Sequence, residues 1–244
     1  MNFRHRGFST LVAGAFASAL MLPAAPARAD DYDWLGIAYL WAADISVDSR
    51  DASVSADFND ILDKLEMAFQ THVEVQGDDL GGFIDFTFLG LGDNTTRPAA
   101  HFNADLDTTL MDLGLVWSPG AERYAGFEAF GGLRYIDSDF HLVVDPTAPG
   151  EPDFETRVND TYTDLLVGAR YIAPLNDRWR LTMTGDVSGG DTEGTWSVGA
   201  FGTYLMGQHR LIVGYRHMEI DLKANGSKAT ETMTGPIIAY GIRF

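Results

Sequence analysis

Gly235-Pro-Ile-Ile-Ala-Tyr-Gly-Ile-Arg-Phe244 is the stretch whose reading decides the fold. Side chains alternate across a β-strand, so residues two apart share a face. Here Pro236, Ile238, Tyr240, Ile242 and Phe244 share one face, and Gly235, Ile237, Ala239, Gly241 and Arg243 share the other. The first face is large and apolar, the second small or charged. A soluble sheet buries its greasy face, whereas this strand carries that face out to a final Phe244. The pattern predicts a strand with lipid on one side and a narrow polar interior on the other.

Working back from it, the same period recurs. Runs near 33–45, 67–76, 80–92, 101–117, 123–143, up to 172, 179–187, 194–204 and 209–222 all alternate. With the closing run they predict an all-β, antiparallel, up-and-down transmembrane barrel of about ten strands, with eight as the alternative. Short turns are expected at Gly77–Asp79, Ser118–Ala121, Pro174–Asp177 and Gly207–His209. Longer polar loops are expected at Val47–Ala56, Asp93–Ala99, Asp145–Arg157, Ser188–Gly194 and Lys223–Thr230. Alternating long and short connections are the habit of membrane barrels, long outside and short in the periplasm. Trp34, Trp117, Tyr124, Tyr171, Trp179, Tyr204 and Phe244 gather at the short-turn level as an interfacial girdle. In the first external loop, Phe58, Ile61, Leu62 and Leu65 have helical spacing and predict a short amphipathic helix, able to cap the outer mouth.

The amino end reads as a secretory signal peptide, residues 1–29: Arg4 and Arg6, an apolar run from Phe8 to Leu22, and a small-residue exit at Ala27-Arg-Ala29. The mature domain is then 30–244. The formal net charge of −18 disfavours nucleic acid, whose phosphates would be repelled. With no cysteine, neither a disulfide framework nor thiol chemistry is available. No cofactor or metal motif is present. The acidic loops lack the residue order of an EF-hand and suit only loose divalent cations that bridge lipopolysaccharide.

If the apolar faces meet lipid, the other faces line the lumen. They place Glu74, Asp85, Asp112, Glu128, Asp164 and Asp186 inside with Arg134, Arg170, Arg216 and Arg243, and these charges must pair or be wet. Folding about the short turns brings His72 opposite Asp85, an acid–histidine pair. It also sets Asp112 against Glu128 and Asp164 against Asp186, like-charge pairs that favour cations. Inward Gly36, Gly114, Gly132, Gly168, Gly214 and Gly241 leave room. These features favour a narrow passive channel with a charged lumen. A non-conducting structural or interaction barrel is the alternative. A lipid- or peptide-modifying enzyme is a further one, yet it lacks a serine nucleophile beside His72. His141, near Asp137 and Asp139 at the outer rim, is the other histidine suited to chemistry.

Trp34-Leu-Gly-Ile-Ala-Tyr-Leu-Trp41, Asp57-Phe-Asn-Asp-Ile-Leu62, Gly214-Tyr-Arg216 and Gly235-Pro236 together resemble a family of small proteobacterial outer-membrane β-barrel proteins. The resemblance implies export, barrel assembly and an outer-membrane site, with no catalytic residue to carry over. It also implies that Tyr240, Ile242 and Phe244 form the terminal signal read by the barrel-assembly machinery.

Overall fold

The structure is a computed structural model that describes residues 32–49, 53–56, 65–97, 100–120, 122–146, 154–224 and 227–244. The signal-peptide expectation, and the helix expected over Phe58–Leu65 apart from Leu65 itself, lie outside the described residues. Leu65 opens a strand.

Alternating apolar and polar residues give twelve strand segments. They are β1 (Asp33–Trp41), β2 (Asp44–Ser49), β3 (Ser53–Ala56), β4 (Leu65–Gln76), β5 (Leu80–Arg97) and β6 (Ala100–Trp117). They continue as β7 (Gly126–Pro146), β8 (Phe154–Pro174), β9 (Trp179–Gly190), β10 (Gly194–Met206), β11 (His209–Ala224) and β12 (Ser227–Arg243). From β4 to β12 each strand pairs antiparallel with the next, and β1 pairs with both β4 and β12. The sheet therefore closes. Both β1 and β2 pair with β12, at successive heights, and β3 only extends β2, so the barrel has ten strand positions. Closure pairs both edges of each of the ten strand positions without a disulfide, the way in which strands satisfy their own backbone in hydrocarbon.

The break between β1 and β2 has a local cause. Trp41 pairs with Ile237 and Asp44 with Thr234, so the register runs on unchanged across the gap. The residues facing the gap are Gly235 and Pro236. Pro236 has no N–H to give to the ladder. A Cβ on Gly235 would lie 2.0 Å from the Ala42 carbonyl oxygen, so only glycine allows this close approach.

Outside, the barrel carries an apolar belt. Leu115, Leu165, Val167, Met183, Tyr215 and Ile238 are all exposed. Trp34, Trp117, Tyr171, Trp179 and Phe244 stand exposed at the level of the short turns, and Tyr135, Trp196 and Tyr215 lie toward the far end of the belt. Beyond Tyr135 the outward positions turn polar, with Asp137 and Asp139 on β7 and Asp107 on β6.

Four sequence expectations are corrected. The described residues of the expected loops at Val47–Ala56, Asp93–Ala99, Asp145–Arg157 and Lys223–Thr230 are strand, and so are four of the seven at Ser188–Gly194. β5 runs to Arg97, β7 to Pro146, β8 starts at Phe154, β9 ends at Gly190, and β11 reaches Ala224. Polar composition reads as loop, but a strand that runs beyond the apolar belt needs no apolar residue on either face. Second, β1 is turned the other way from the expectation that placed Gly36 inside. Leu35 and Trp41 are buried, with Ile37 and Tyr39 on the same face, while Trp34 and Leu40 are exposed. Both faces of β1 are apolar, so alternation alone could not orient it, and Gly36 faces outward beside Phe244. Third, Tyr124 is not in the girdle but buried. Fourth, the inward glycines do not leave open space. Phenylalanine rings lie across them: a Cβ on Gly168 or Gly214 would sit 2.3 Å from Phe130 or Phe201, and one on Gly114 2.6 Å from Phe83.

Candidate functional site in the barrel lumen

Starting at the short-turn end, the β6–β7 turn folds inward. Tyr124 adopts a positive φ of 57°, a strained backbone for any residue but glycine. Its ring is held inside with Leu35 and Ile172. The hydroxyl donates to the Asp33 carbonyl oxygen at 2.7 Å, and the backbone N–H donates to Gln76 Oε1 at 2.9 Å. The guanidinium carbons of Arg210 and Arg243 lie 5.1 and 5.7 Å from the ring centre. Arg243 donates to Asp33 at 2.5 Å, and Arg123 bridges Asp33 and Asp78 at 3.3 and 2.9 Å.

Above this floor lies an ion-paired layer. Arg170 on β8 donates to Glu74 on β4, with Nη1 2.8 Å from Oε2, and donates through Nε to Glu128 on β7. Gln76 Nε2 donates to both acids, at 2.7 Å to Glu74 and 2.9 Å to Glu128. Glu74 and Glu128 are 1% and 0% exposed, so two carboxylates lie in the wall itself. His72 sets Nδ1 3.1 Å from Asp85 and Nε2 3.0 Å from Glu74, and Tyr39 donates to Asp85 at 2.7 Å.

A second layer centres on Arg134. Its fork donates twice to Asp112, both at 2.8 Å, and Nη1 donates to Thr195 Oγ1 at 2.7 Å. Nη2 also lies 3.0 Å from Asp186 Oδ1, an ion pair without hydrogen-bond alignment, while Ser197 donates to Asp186 Oδ2 at 2.7 Å. Asp164 takes its bonds from Ser188 and from the N–H and hydroxyl of Thr192, at 3.0, 3.0 and 2.5 Å.

Towards the far end the lumen turns apolar. Trp41, Leu110, Ile136, Met218, Ile220 and Ile237 belong to one buried cluster. In the sheet order β6 stands five positions from β11, and β7 five from β12, half-way round a ten-position ring. Leu110 and Ile136 therefore meet side chains of the opposite wall, and the cluster crosses the barrel.

The lattice thus differs from the like-charge pairs expected from turn geometry. Asp112 lies opposite Arg134, and Glu128 opposite Arg170. Asp164 lies opposite Gly190, and Asp186 opposite Gly168. The β6–β7 connection runs from Ser118 to Ala125 with Tyr124 tucked in, longer than the four-residue turn assumed, and this shift trades acid for arginine. His72 does lie opposite Asp85. Both its ring nitrogens point at carboxylates, leaving neither to serve a nucleophile. At the outer rim His141 contacts Glu155 at 2.9 Å and Asp105 at 4.0 Å, all partly or largely exposed. Among the described residues no cluster of three metal-ligating groups forms.

Between floor and apolar layer lies a cavity of about 250 Å³. Its wall includes Arg180, Arg210 and Arg216. Arg216 is among the charges expected inside, whereas Arg180 and Arg210 are not. Their second place in β9 and β11, each with an inward alternation, was the signal that could have found them.

No family model matches the chain, and neither does any curated protein. Among solved structures, it is similar to the outer membrane protease OmpT from Escherichia coli, with 9% identity over 88% of this chain and 98% of that one, at a TM-score of 0.54. Similarity extends to Ail, the attachment invasion locus protein of Yersinia pestis, with 10% identity over 88% and 99% of the two chains and a TM-score of 0.41. A Pseudomonas aeruginosa FadL homologue matches with 10% identity over 88% and 90%, at 0.39. At such identities likeness concerns the fold alone, and the OmpT match carries it: the chain has the fold of an outer-membrane β-barrel.

Proposed function

We propose, from a barrel of the outer-membrane kind, that this chain is a non-conducting structural and interaction protein of the outer membrane, closed by its own side chains. One observation carries the reading: Leu110 and Ile136 share a buried cluster with Met218, Ile220 and Ile237 of the opposite wall. A passive channel needs a wet path from end to end, and this layer interrupts it. The cation preference expected of free lumen acids also lacks support, because Asp112, Glu128, Asp164 and Asp186 are each held by arginine, serine or threonine. The strands that run past the apolar belt supply the interaction surface, with lipopolysaccharide bridged by divalent cations as the partner suited to its acids. Tyr240, Ile242 and Phe244 serve as the assembly signal.

The test is single-channel conductance of the refolded protein in a planar bilayer, with folding verified by a heat-dependent shift in gel mobility. A silent bilayer is expected. Discrete steps from folded protein would overturn this reading and restore the passive channel.

A further inference from the structure

We infer that the lumen cavity is a binding site for a small organic anion, a carboxylate on a compact apolar body, held by Arg180, Arg210 and Arg216. The cavity wall contains four acids, Glu74, Asp85, Asp112 and Asp186, and each has a partner within the barrel, although Asp186 Oδ1 accepts no hydrogen bond. Arg170 and His72 hold Glu74, Tyr39 and His72 hold Asp85, Arg134 holds Asp112, and Arg134 and Ser197 hold Asp186.

The three arginines are different. Among the described residues, no carboxylate forms an ion pair with any of them. Arg180 Nη1 is buried with no hydrogen-bond partner in the protein. Arg210, 8% exposed, stacks on the Tyr124 ring at 5.1 Å and makes no ion pair or side-chain hydrogen bond among the described residues. Arg216 stacks over Trp41 at 5.0 Å and points Nη2 at the Met218 sulfur, 3.9 Å away, a weak acceptor. A guanidinium taken out of bulk water is costly unless an anion or good acceptors meet it. Three of them on one cavity, none hydrogen-bonded to a carboxylate among the described residues, leave guanidinium N–H groups without good acceptors, which the oxygens of a ligand carboxylate would supply.

The rest of the wall sets the ligand's body. Phe83, Phe130, Phe201, Ile172 and Ile212 line the same space. An apolar cavity of about 150 Å³ accommodates benzene. At about 250 Å³ this one has room for a single ring or a short chain together with a carboxylate. The guanidinium fork matches a carboxylate bidentately, so one end of the ligand is fixed by charge and the other by apolar contact. Conductance does not bear on this site, since a silent barrel binds the anion as well as a conducting one.

Calorimetry of the refolded protein in non-ionic micelles, titrated with phenylacetate against a micelle blank, tests it. Saturable binding is expected, with neutral 2-phenylethanol at least about tenfold weaker, the worth of a charge-assisted hydrogen bond. Arg180→Gln and Arg216→Gln should each weaken phenylacetate by about tenfold. Thermal unfolding of the wild type gives a second readout that needs no variant: phenylacetate should raise the Tm in a concentration-dependent way and phenylethanol should not. Absence of saturable binding up to about 10 mM by folded protein would overturn the proposal. So would equal binding of the alcohol, or folded arginine variants that bind like the wild type.

Discussion

Arg170 on β8 reaches Glu74 on β4, four positions away around a ten-position barrel, and the same guanidinium holds Glu128 on its own neighbour β7. One cation thus ties together two carboxylates that are almost without solvent contact. Removing one partner of a buried ion pair leaves an uncompensated charge, at a cost of about 3–5 kcal/mol. Arg170→Met should therefore destabilise the barrel by about that amount, read as a lower urea midpoint in equilibrium unfolding. A change below about 0.5 kcal/mol would mean that the layer is wet and screened.

Arg134 and Asp112 make a bidentate pair on adjacent strands, at 2.8 Å for each bond. Arg134→Met alone should cost about 3–5 kcal/mol, whereas adding Asp112→Leu should recover part of the loss. A double-mutant cycle measures the difference. No recovery would show that Arg134 acts mainly through Thr195 and Asp186.

The rings over Gly168 and Gly214 set a steric test. Gly168→Ala places a methyl 2.3 Å from the Phe130 ring and 2.8 Å from Asp186 Cβ, so the ring must move. Overpacking of this kind costs about 1–3 kcal/mol. Combining it with Phe130→Leu should lessen the penalty, as read from thermal unfolding of both variants.

Val167 faces outward on β8, 57% exposed, between Leu165 and Tyr171 in the apolar belt. Arginine at the midplane of a membrane barrel costs about 2–4 kcal/mol. Val167→Arg should lose that much when the protein is unfolded from lipid vesicles. Thr161→Arg, beyond the belt on the same strand, should be near neutral.

Tyr124 closes the short-turn end, and the Trp41–Met218 cluster closes the far side of the cavity. Tyr124→Gly relieves the positive φ but removes the ring, and the bilayer should stay silent because the apolar layer remains. Adding Trp41→Ala and Met218→Ala should produce conductance steps. Steps from Tyr124→Gly alone would assign closure to the turn.

The closing strand was legible because its two faces differ so strongly. Ile238, Tyr240, Ile242 and Phe244 are exposed, while Ile237 and Ala239 are buried, as alternation predicts. Most other strands follow the same logic, which is why strand number and direction could be read without coordinates. β1 was not legible, since Leu35, Ile37, Tyr39 and Trp41 oppose a face that is also apolar. The strand extensions past the belt were missed for a related reason: a strand that needs no apolar face leaves no hydrophobic period.

What the sequence by itself determined was the barrel, its apolar outside and the identity of most charges that turn inward, because a period of two needs only local information. Which charge meets which was decided by tertiary structure. Partners in the lumen come from strand stagger and from across the ring, and a connection longer by a few residues exchanges Glu128 for Arg134 opposite Asp112. The unpaired set of Arg180, Arg210 and Arg216 is of the same kind. It exists only because distant strands bring the local acids to other partners first, and that is a property of the closed ring rather than of any one strand.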